Sequence, residues 1–135
     1  MERQQVTTAM RPRPAARYHD VDLAGRIDGA SPHALVAVLY DELAVALIVL
    51  ERVTEAGDPA ALAERHGRAA TLLATLQASL DPVRGGDLAQ ALARIYGQMQ
   101  RRLLAARNGE TDAVREVLAG VRNLADAWKA IGQAA

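Results

Sequence analysis

The sequence predicts an all-α protein, an antiparallel up-down-up-down four-helix bundle with a short N-terminal segment or helix docked on it. Alanine and leucine supply 29 and 17 of the 135 residues, whereas Val, Ile and Thr together supply 21, a balance that favours helix over sheet. Four segments of about 20 to 25 residues repeat apolar side chains at the spacing of one helix face. Their connections are short, which places successive helices antiparallel.

The first thirty residues differ from the rest. Residues 1–17 hold four arginines, one glutamate and two prolines without apolar periodicity, which predicts a mobile basic arm. Residues 18–30 carry spaced apolar groups that could dock on a bundle. We therefore expect the arm at 1–17 and a single helical-bundle domain at 18–135.

The first two helices have clear start and stop signals. Ser31 before Pro32 supplies a capping hydroxyl and a proline suited to the first helical position, which predicts a helix at 32–56 that ends at Gly57. An Asp-Pro pair repeats the start signal and predicts a second helix at 59–80. The Asp-Pro pair at 81–82 ends that helix, so we expect a loop at 81–86.

The last two helices follow the same logic. Apolar residues recur at three- and four-residue steps over 87–107, and Asn108-Gly109 supplies the stop. A fourth helix starts near Thr111 and closes at Gly132, with Trp128 on its apolar face.

Composition argues against several classes of function. The chain has no cysteine and a net charge of zero, which speaks against thiolate metal sites, cysteine nucleophiles and a general basic surface for nucleic acid. No Glu-x-x-His pair, P-loop or nucleophile elbow occurs. We expect neither enzymatic activity nor a metal or cofactor. No secretory signal is visible, which makes the cytoplasm the default location.

The first predicted helix is apolar around most of its circumference. A membrane span is disfavoured, because Asp41 and Glu42 near its middle would each cost about 2.5 to 3.5 kcal/mol at the bilayer centre. Two alternatives stay open: a central bundle helix that touches two neighbours, or a surface that awaits an external partner.

Four blocks of sequence resemble the FliS family of flagellar export chaperones, in the family's order and spacing. They are Ala30-Ser31-Pro32 with LVAVLYD at 35–41, LQASLD at 76–81 with GGDLA at 85–89, Ile95-Tyr96 with Met99 and RRL at 101–103, and AWK at 127–129. The resemblance covers about residues 18–131. Glu42 stands where the family commonly has glycine, and Gln100 replaces a usual tyrosine.

This resemblance implies a chaperone that binds the unfolded C-terminal segment of flagellin, prevents premature polymerisation and keeps the chain competent for export. The client helix would enter clefts between bundle helices. Export-gate components of the flagellar secretion apparatus are a further expected partner; nucleic acid and membrane insertion are not expected. The alternative is a helical interaction module or a chaperone for a different secreted client.

The resemblance also directs attention to apolar positions that we expect to divide between core and client groove. Tyr18 matches a family tyrosine expected to lie over part of the groove. Tyr40 and Tyr96 suit a half-exposed rim, because a buried tyrosine hydroxyl needs a partner. The predicted client-binding residues are Tyr18, Leu35, Leu39, Tyr40, Leu43, Leu47, Leu92, Ile95, Tyr96, Met99 and Leu103.

Overall fold

A computed structural model describes residues 23–134 of the chain, with side chains to residue 132. The chain divides into two compact units, Met1–Val38 and Leu39–Ala135. All regular structure in the described part is helical, which confirms the all-α prediction. The boundary expected at residues 17 and 18 lies outside the described residues and stays a prediction.

The described part of the first unit leads into the first long helix. Residues 23–27 are helical and end in a turn. The hydroxyl of Ser31 then accepts a hydrogen bond from the backbone N–H of Ala34 at 3.1 Å. This N-cap satisfies one of the free N–H groups at the start of α1 (Pro32–Ala56), as the Ser-Pro signal predicts.

The second helix, α2 (Pro59–Ala78), begins at the repeated start signal. The Asp58 carboxylate accepts hydrogen bonds from the backbone N–H groups of Ala60 and Ala61 at 3.1 and 3.3 Å. At the other end Ser79 turns its hydroxyl back to the Leu76 carbonyl at 2.7 Å. The helix therefore stops two residues before the predicted end at Leu80.

The loop predicted at 81–86 is instead the first turn of α3 (Pro82–Leu104). Asp81 caps this turn, since its carboxylate accepts from the next two free backbone N–H groups at 3.0 and 3.1 Å. The Asp-Pro pair thus starts a helix here, as the earlier pair does at α2. Gly86 then kinks the helix with φ 52° and ψ −131°, a conformation open to glycine and strained for other residues.

The third helix also ends earlier than predicted. After Leu104 the chain tightens into a 3₁₀ turn (Ala105–Asn108) and then begins α4 (Thr111–Ala134). The predicted end at residue 107 lies inside this 3₁₀ turn, which continues the coil of α3 with a tighter hydrogen-bonding pattern. The end of α4 lies two residues beyond the predicted stop at Gly132.

Ion pairs within the second unit show that α1 and α4 run antiparallel. Arg115 near the start of α4 binds Glu51 and Glu55 near the end of α1, at 2.8 and 3.1 Å. Lys129 near the end of α4 lies 3.4 Å from Asp41, three turns earlier on α1. Short connections at 57–58, 79–81 and 105–110 reverse the chain between the other helix pairs.

Leucines, valines and two tyrosines fill the core of the second unit. The completely buried large side chains are Tyr40, Leu43, Leu47, Leu50, Leu73, Leu76, Tyr96, Leu103, Val114 and Val121. They come from all four helices at the predicted three- and four-residue spacing. Their burial is the main apolar contribution to the stability of this unit.

One carboxylate is buried among these apolar groups. Glu42 is 6% exposed, and its Oε1 lies 3.6 Å from a guanidinium nitrogen of Arg68 on α2. A buried carboxylate is costly without such a partner. Glu42 thus joins α1 to α2 through an ion pair.

Candidate functional site

The structure separates the predicted client-binding residues into buried and accessible groups. Tyr40, Leu43, Leu47, Leu92, Tyr96, Met99 and Leu103 are buried, whereas Leu35, Leu39 and Ile95 are half-buried. Tyr18 lies outside the described residues. The expected division between core and surface therefore assigns most of these positions to the core.

The two tyrosines do not occupy the half-exposed rim that the sequence analysis expects. Tyr40 and Tyr96 are each 1% exposed, and their hydroxyl oxygens lie 2.6 Å apart. Each hydroxyl therefore finds its hydrogen-bonding partner in the other, which removes the reason for a place at the surface. Burial raises the pKa of both phenols, and the hydrogen bond between them raises the pKa of Tyr96 further.

Trp128 covers one side of this tyrosine pair. Its ring stands edge-on to Tyr40, with 6.2 Å between ring centroids and 78° between ring planes. The indole is half-buried, so it closes the core toward solvent instead of lying at its centre. The preference of aromatic rings for edge-to-face packing stabilises this arrangement.

A shallow groove of about 210 Å³ runs between α3 and α4. We call it the α3–α4 groove; it is lined by Ile95, Gln98, Met99, Arg102, Glu116 and Val117. Arg102 pairs with Glu116 across it and lies 3.8 Å from Glu110. The groove thus has an apolar floor and a charged rim.

Gly120 on α4 leaves room for Met99, one of the residues that line the α3–α4 groove. A Cβ atom at this position would lie 2.9 Å from the terminal methyl of Met99, closer than carbon atoms pack. The absence of a side chain on α4 therefore lets Met99 approach the helix backbone, and Met99 remains both buried and part of the groove lining.

A larger groove of about 440 Å³ lies on the other side of α3, against α2. We call it the α2–α3 groove; it is lined by His66, Ala70, Gln77, Gly97, Gln100, Arg101, Leu103 and Leu104. His66 Nε2 donates to the Leu103 carbonyl at 2.9 Å. This bond satisfies a carbonyl near the end of α3 and fixes the ring at the edge of the groove.

Leu104, an exposed leucine of the α2–α3 groove, is not among the client-binding residues predicted from the sequence. Leu104 is 55% exposed, next to a leucine that is buried. The adjacent leucines Leu103 and Leu104 are the sequence signal for an exposed leucine, because neighbouring residues of a helix point about 100° apart. Only one of them can lie on the core stripe, so the other faces outward.

By length and mean hydropathy, α1 could cross a membrane, and no other helix in the described part meets that test. In the second unit its Tyr40, Leu43, Leu47 and Leu50 are all completely buried. Part of the apolar surface of α1 is thus buried in the protein core. Within residues 23–134, no three His, Asp or Glu side chains lie together as a set of metal ligands.

Comparison with known proteins gives consistent matches. The family described as Flagellar protein FliS matches residues 14–135. The Flagellar secretion chaperone FliS of Salmonella typhimurium is 35% identical over 116 residues, which cover 84% of this chain and 86% of the relative. The protein of the same name from Escherichia coli is 32% identical over 114 residues, with 83% and 84% covered. The Flagellar secretion chaperone FliSB of Pseudomonas aeruginosa is 30% identical over 122 residues, with 85% and 92% covered.

Proposed function

This chain belongs to the FliS family of flagellar proteins, and we propose that it is a cytoplasmic export chaperone that binds the unfolded C-terminal region of flagellin. Binding would keep the client soluble, prevent its premature polymerisation and leave it competent for export. The relatives are named secretion chaperones, and this name implies a role without catalysis. In this proposal the chain acts by holding its client, without turnover of a substrate.

The amphipathic helices of the client determine what kind of surface the chaperone needs in order to bind them. A segment that forms amphipathic helices carries an apolar stripe, and such a stripe binds in clefts between helices through anchors at i, i+3, i+4 and i+7. Ordering the segment on binding costs several kcal/mol. The chaperone must therefore provide apolar contact over several helical turns.

The observation that carries the proposal is the pair of grooves on either side of α3. The half-buried Ile95 lines the α3–α4 groove, and Leu104, which is 55% exposed, lines the α2–α3 groove. An accessible apolar side chain thus lies on each flank of one helix, within about ten residues or roughly 15 Å. Arginine and glutamine side chains beside them can bind the client's backbone and polar groups.

The buried predicted residues have an indirect role in this proposal. Leu43, Leu47, Leu92 and the two tyrosines hold α1 and α3 in the core and so keep the groove walls in place. Leu39 is half-buried and lines neither groove, so its contact with the client stays a prediction from the family resemblance. Tyr18 and Leu35 stay predicted contacts on the strength of the family resemblance.

The test is a calorimetric titration of the protein with a peptide from about the last forty residues of flagellin, long enough for several helical anchors. Ile95→Asp places a charge in the α3–α4 groove, and Leu104→Asp does so in the α2–α3 groove. We expect each substitution to raise Kd by about tenfold or more, as removal of a central apolar anchor does.

The matched control is Val83→Asp. Val83 is 91% exposed and lies outside both grooves, so this substitution adds the same charge without touching the proposed site. Circular dichroism of each variant checks that the helices are intact. A flat titration with the wild-type protein, together with capture of an unrelated secreted protein, would assign the chaperone to a different client.

A further inference from the structure

The two grooves beside α3 differ in charge. Arg101 lines the α2–α3 groove, and none of the residues that line this groove is acidic. In the α3–α4 groove the arginine is Arg102, which pairs with Glu116 of the opposite wall and lies 3.8 Å from Glu110. Positive charge is thus neutralised within the α3–α4 groove and uncompensated within the α2–α3 groove.

The guanidinium of Arg101 has donors available for a partner. Within the described residues it forms neither an ion pair nor a hydrogen bond with another side chain, and its side chain is exposed. A guanidinium presents five N–H donors in a planar fork, a shape that matches a carboxylate. Arg101 therefore offers a binding position for an acidic group.

Gly97 allows this guanidinium to lie inside the groove. A Cβ atom on Gly97 would lie 3.5 Å from Nη1 of Arg101, so the arginine side chain extends back along α3 by about one turn, the usual direction for a long side chain on a helix. Both residues line the α2–α3 groove. The charged end of Arg101 is therefore located beside residue 97, within the groove.

An apolar anchor lies farther along the same side of α3. Leu104 is 55% exposed and lines the same groove. Residues 97 and 104 are seven positions apart, which is about 10 Å along the helix axis and close to two full turns. The charged end of Arg101 and the side chain of Leu104 thus form two binding positions on one side of the helix.

We propose that the α2–α3 groove selects a client helix that carries a carboxylate about seven residues from an apolar anchor, and that Arg101 binds this carboxylate. The inference rests on the proposed function and names the chemical class of the segment bound in this groove. A client helix that lies along α3 has the same rise per residue, so this spacing places its acid at Arg101 and its apolar residue at Leu104. The guanidinium can donate two parallel hydrogen bonds to an aspartate or glutamate, which fixes orientation as well as adding attraction.

The other polar groups of the α2–α3 groove are compatible with an acidic client residue. Gln77 on α2 and Gln100 on α3 line the groove, and each amide can donate a hydrogen bond to a carboxylate or to a client carbonyl. His66 is engaged by the Leu103 carbonyl at 2.9 Å. No side chain of the lining therefore repels a carboxylate.

The α3–α4 groove is less suited to the same client segment. A carboxylate placed there would compete for Arg102 with Glu116 and Glu110, which already bind it. Like charges brought close together also repel. The difference in charge between the grooves therefore directs the acidic segment of the client to the α2–α3 groove.

Calorimetric titration with the flagellin C-terminal peptide measures the contribution of Arg101. Arg101→Gln removes the charge and keeps a polar side chain, and we expect it to raise Kd by about five- to tenfold. Arg101→Lys keeps the charge without the planar fork and should retain more of the affinity. The matched control is Arg122→Gln, because Arg122 is exposed on α4 and lines neither groove.

A set of variant peptides identifies the carboxylate. Each aspartate or glutamate of the peptide is replaced in turn by its amide. One replacement should weaken binding to the wild-type protein and have little effect on binding to Arg101→Gln, because the two groups act as a pair. A lysine at that peptide position should bind Arg101→Glu more tightly than it binds the wild type.

The same peptides test the spacing. Replacing the client's apolar residues by alanine, one at a time, identifies the one whose loss is coupled to Leu104→Ala. We expect this residue about seven positions from the acid that binds Arg101. Two partners on opposite sides of the client helix would contradict the proposed arrangement along α3.

The outcomes separate this inference from the proposed function. Equal Kd values for the wild type and Arg101→Gln, or equal losses for Arg101→Gln and Arg122→Gln, would overturn the inference alone. If the carboxylate is bound, the wild-type Kd should rise more steeply than that of Arg101→Gln between about 0.05 and 0.5 M salt. A flat titration with the wild-type protein would overturn the proposed function and the inference with it.

Discussion

The hydroxyls of Tyr40 and Tyr96 meet at 2.6 Å inside the core, where they join α1 to α3. The two ring centroids lie 6.5 Å apart with a tilt of 56°. Neither hydroxyl can turn to water, because both side chains are almost completely buried. This buried hydrogen bond fixes the register of α1 against α3, since sliding one helix along the other would leave both hydroxyls unsatisfied.

Removing both of these hydroxyls should cost less than the two single removals added together. Tyr96→Phe or Tyr40→Phe leaves a buried hydroxyl without its partner, and we expect each to lower the free energy of unfolding by about 1 to 3 kcal/mol. The double variant leaves no orphaned group and should lose clearly less than the sum. Urea denaturation of the four proteins, followed by circular dichroism, completes this cycle. Strictly additive losses would mean that the hydroxyls do not interact.

The tyrosine pair also predicts a loss of stability in alkali. Burial raises the pKa of both phenols above the ordinary value of 10.0, so the unfolded chain releases these protons before the folded one does. Their contribution is therefore fully present below about pH 10 and declines as the pH rises above it, by up to about 1.4 kcal/mol per pH unit for each phenol. Urea denaturation between pH 8 and pH 11 measures the decline. The variant with both tyrosines changed to phenylalanine should show a smaller one, and an identical decline would contradict the assignment.

Trp128 should contribute to stability as a partly exposed cover of the core. Trp128→Ala removes the ring that packs edge-on against Tyr40, and we expect a loss of about 2 to 4 kcal/mol, at or below the range for fully buried aromatic residues because the indole is half-buried. Lys129→Ala is the control, since it removes only an exposed ion pair and should cost less than about 1 kcal/mol. Thermal melting that is the same for both variants would show that the ring contributes little.

Two glycines should respond to alanine in opposite directions. Gly67 lies inside α2 with open space around it, so Gly67→Ala should stabilise the protein by about 0.5 to 1 kcal/mol through higher helix propensity. Gly86→Ala forces a side chain into a backbone with φ 52° and ψ −131° and should destabilise by about 1 to 3 kcal/mol. Denaturant midpoints measure both. A stabilised Gly86→Ala variant would show that the kink relaxes at little cost.

Only some of the residues that line the grooves could be predicted from the sequence. Periodicity identified α3 as a helix with an apolar face, and Ile95 and Met99 were among the predicted residues that line a groove. Periodicity did not distinguish Ile95 and Met99 from Tyr96, which is predicted on the same face but lines neither groove. The place of Met99 also depends on the neighbouring helix, because Gly120 has no side chain to displace it. A periodic pattern in one segment contains no information about which neighbour packs against it.

Helix boundaries show the same limit on a local scale. The Asp-Pro pair at 81–82 predicts the end of α2, and the Asp81 carboxylate also caps the start of α3. Both consequences follow from one chemical signal, since the residue before proline leaves the α region and its side chain can then cap the next turn. The glycines of this segment favour a loop in the sequence, but in the structure the positive φ of Gly86 produces a kink within α3.

The sequence by itself determined that the chain is helical, where its long helices begin and which family its motifs resemble, because caps, breakers and apolar spacing act over a few residues. The tertiary structure alone decided which apolar side chains are hidden, that Tyr40 and Tyr96 satisfy each other, and that grooves remain on both flanks of α3. Burial and pairing depend on residues far apart in the chain, and the distance between them is set only when the helices pack.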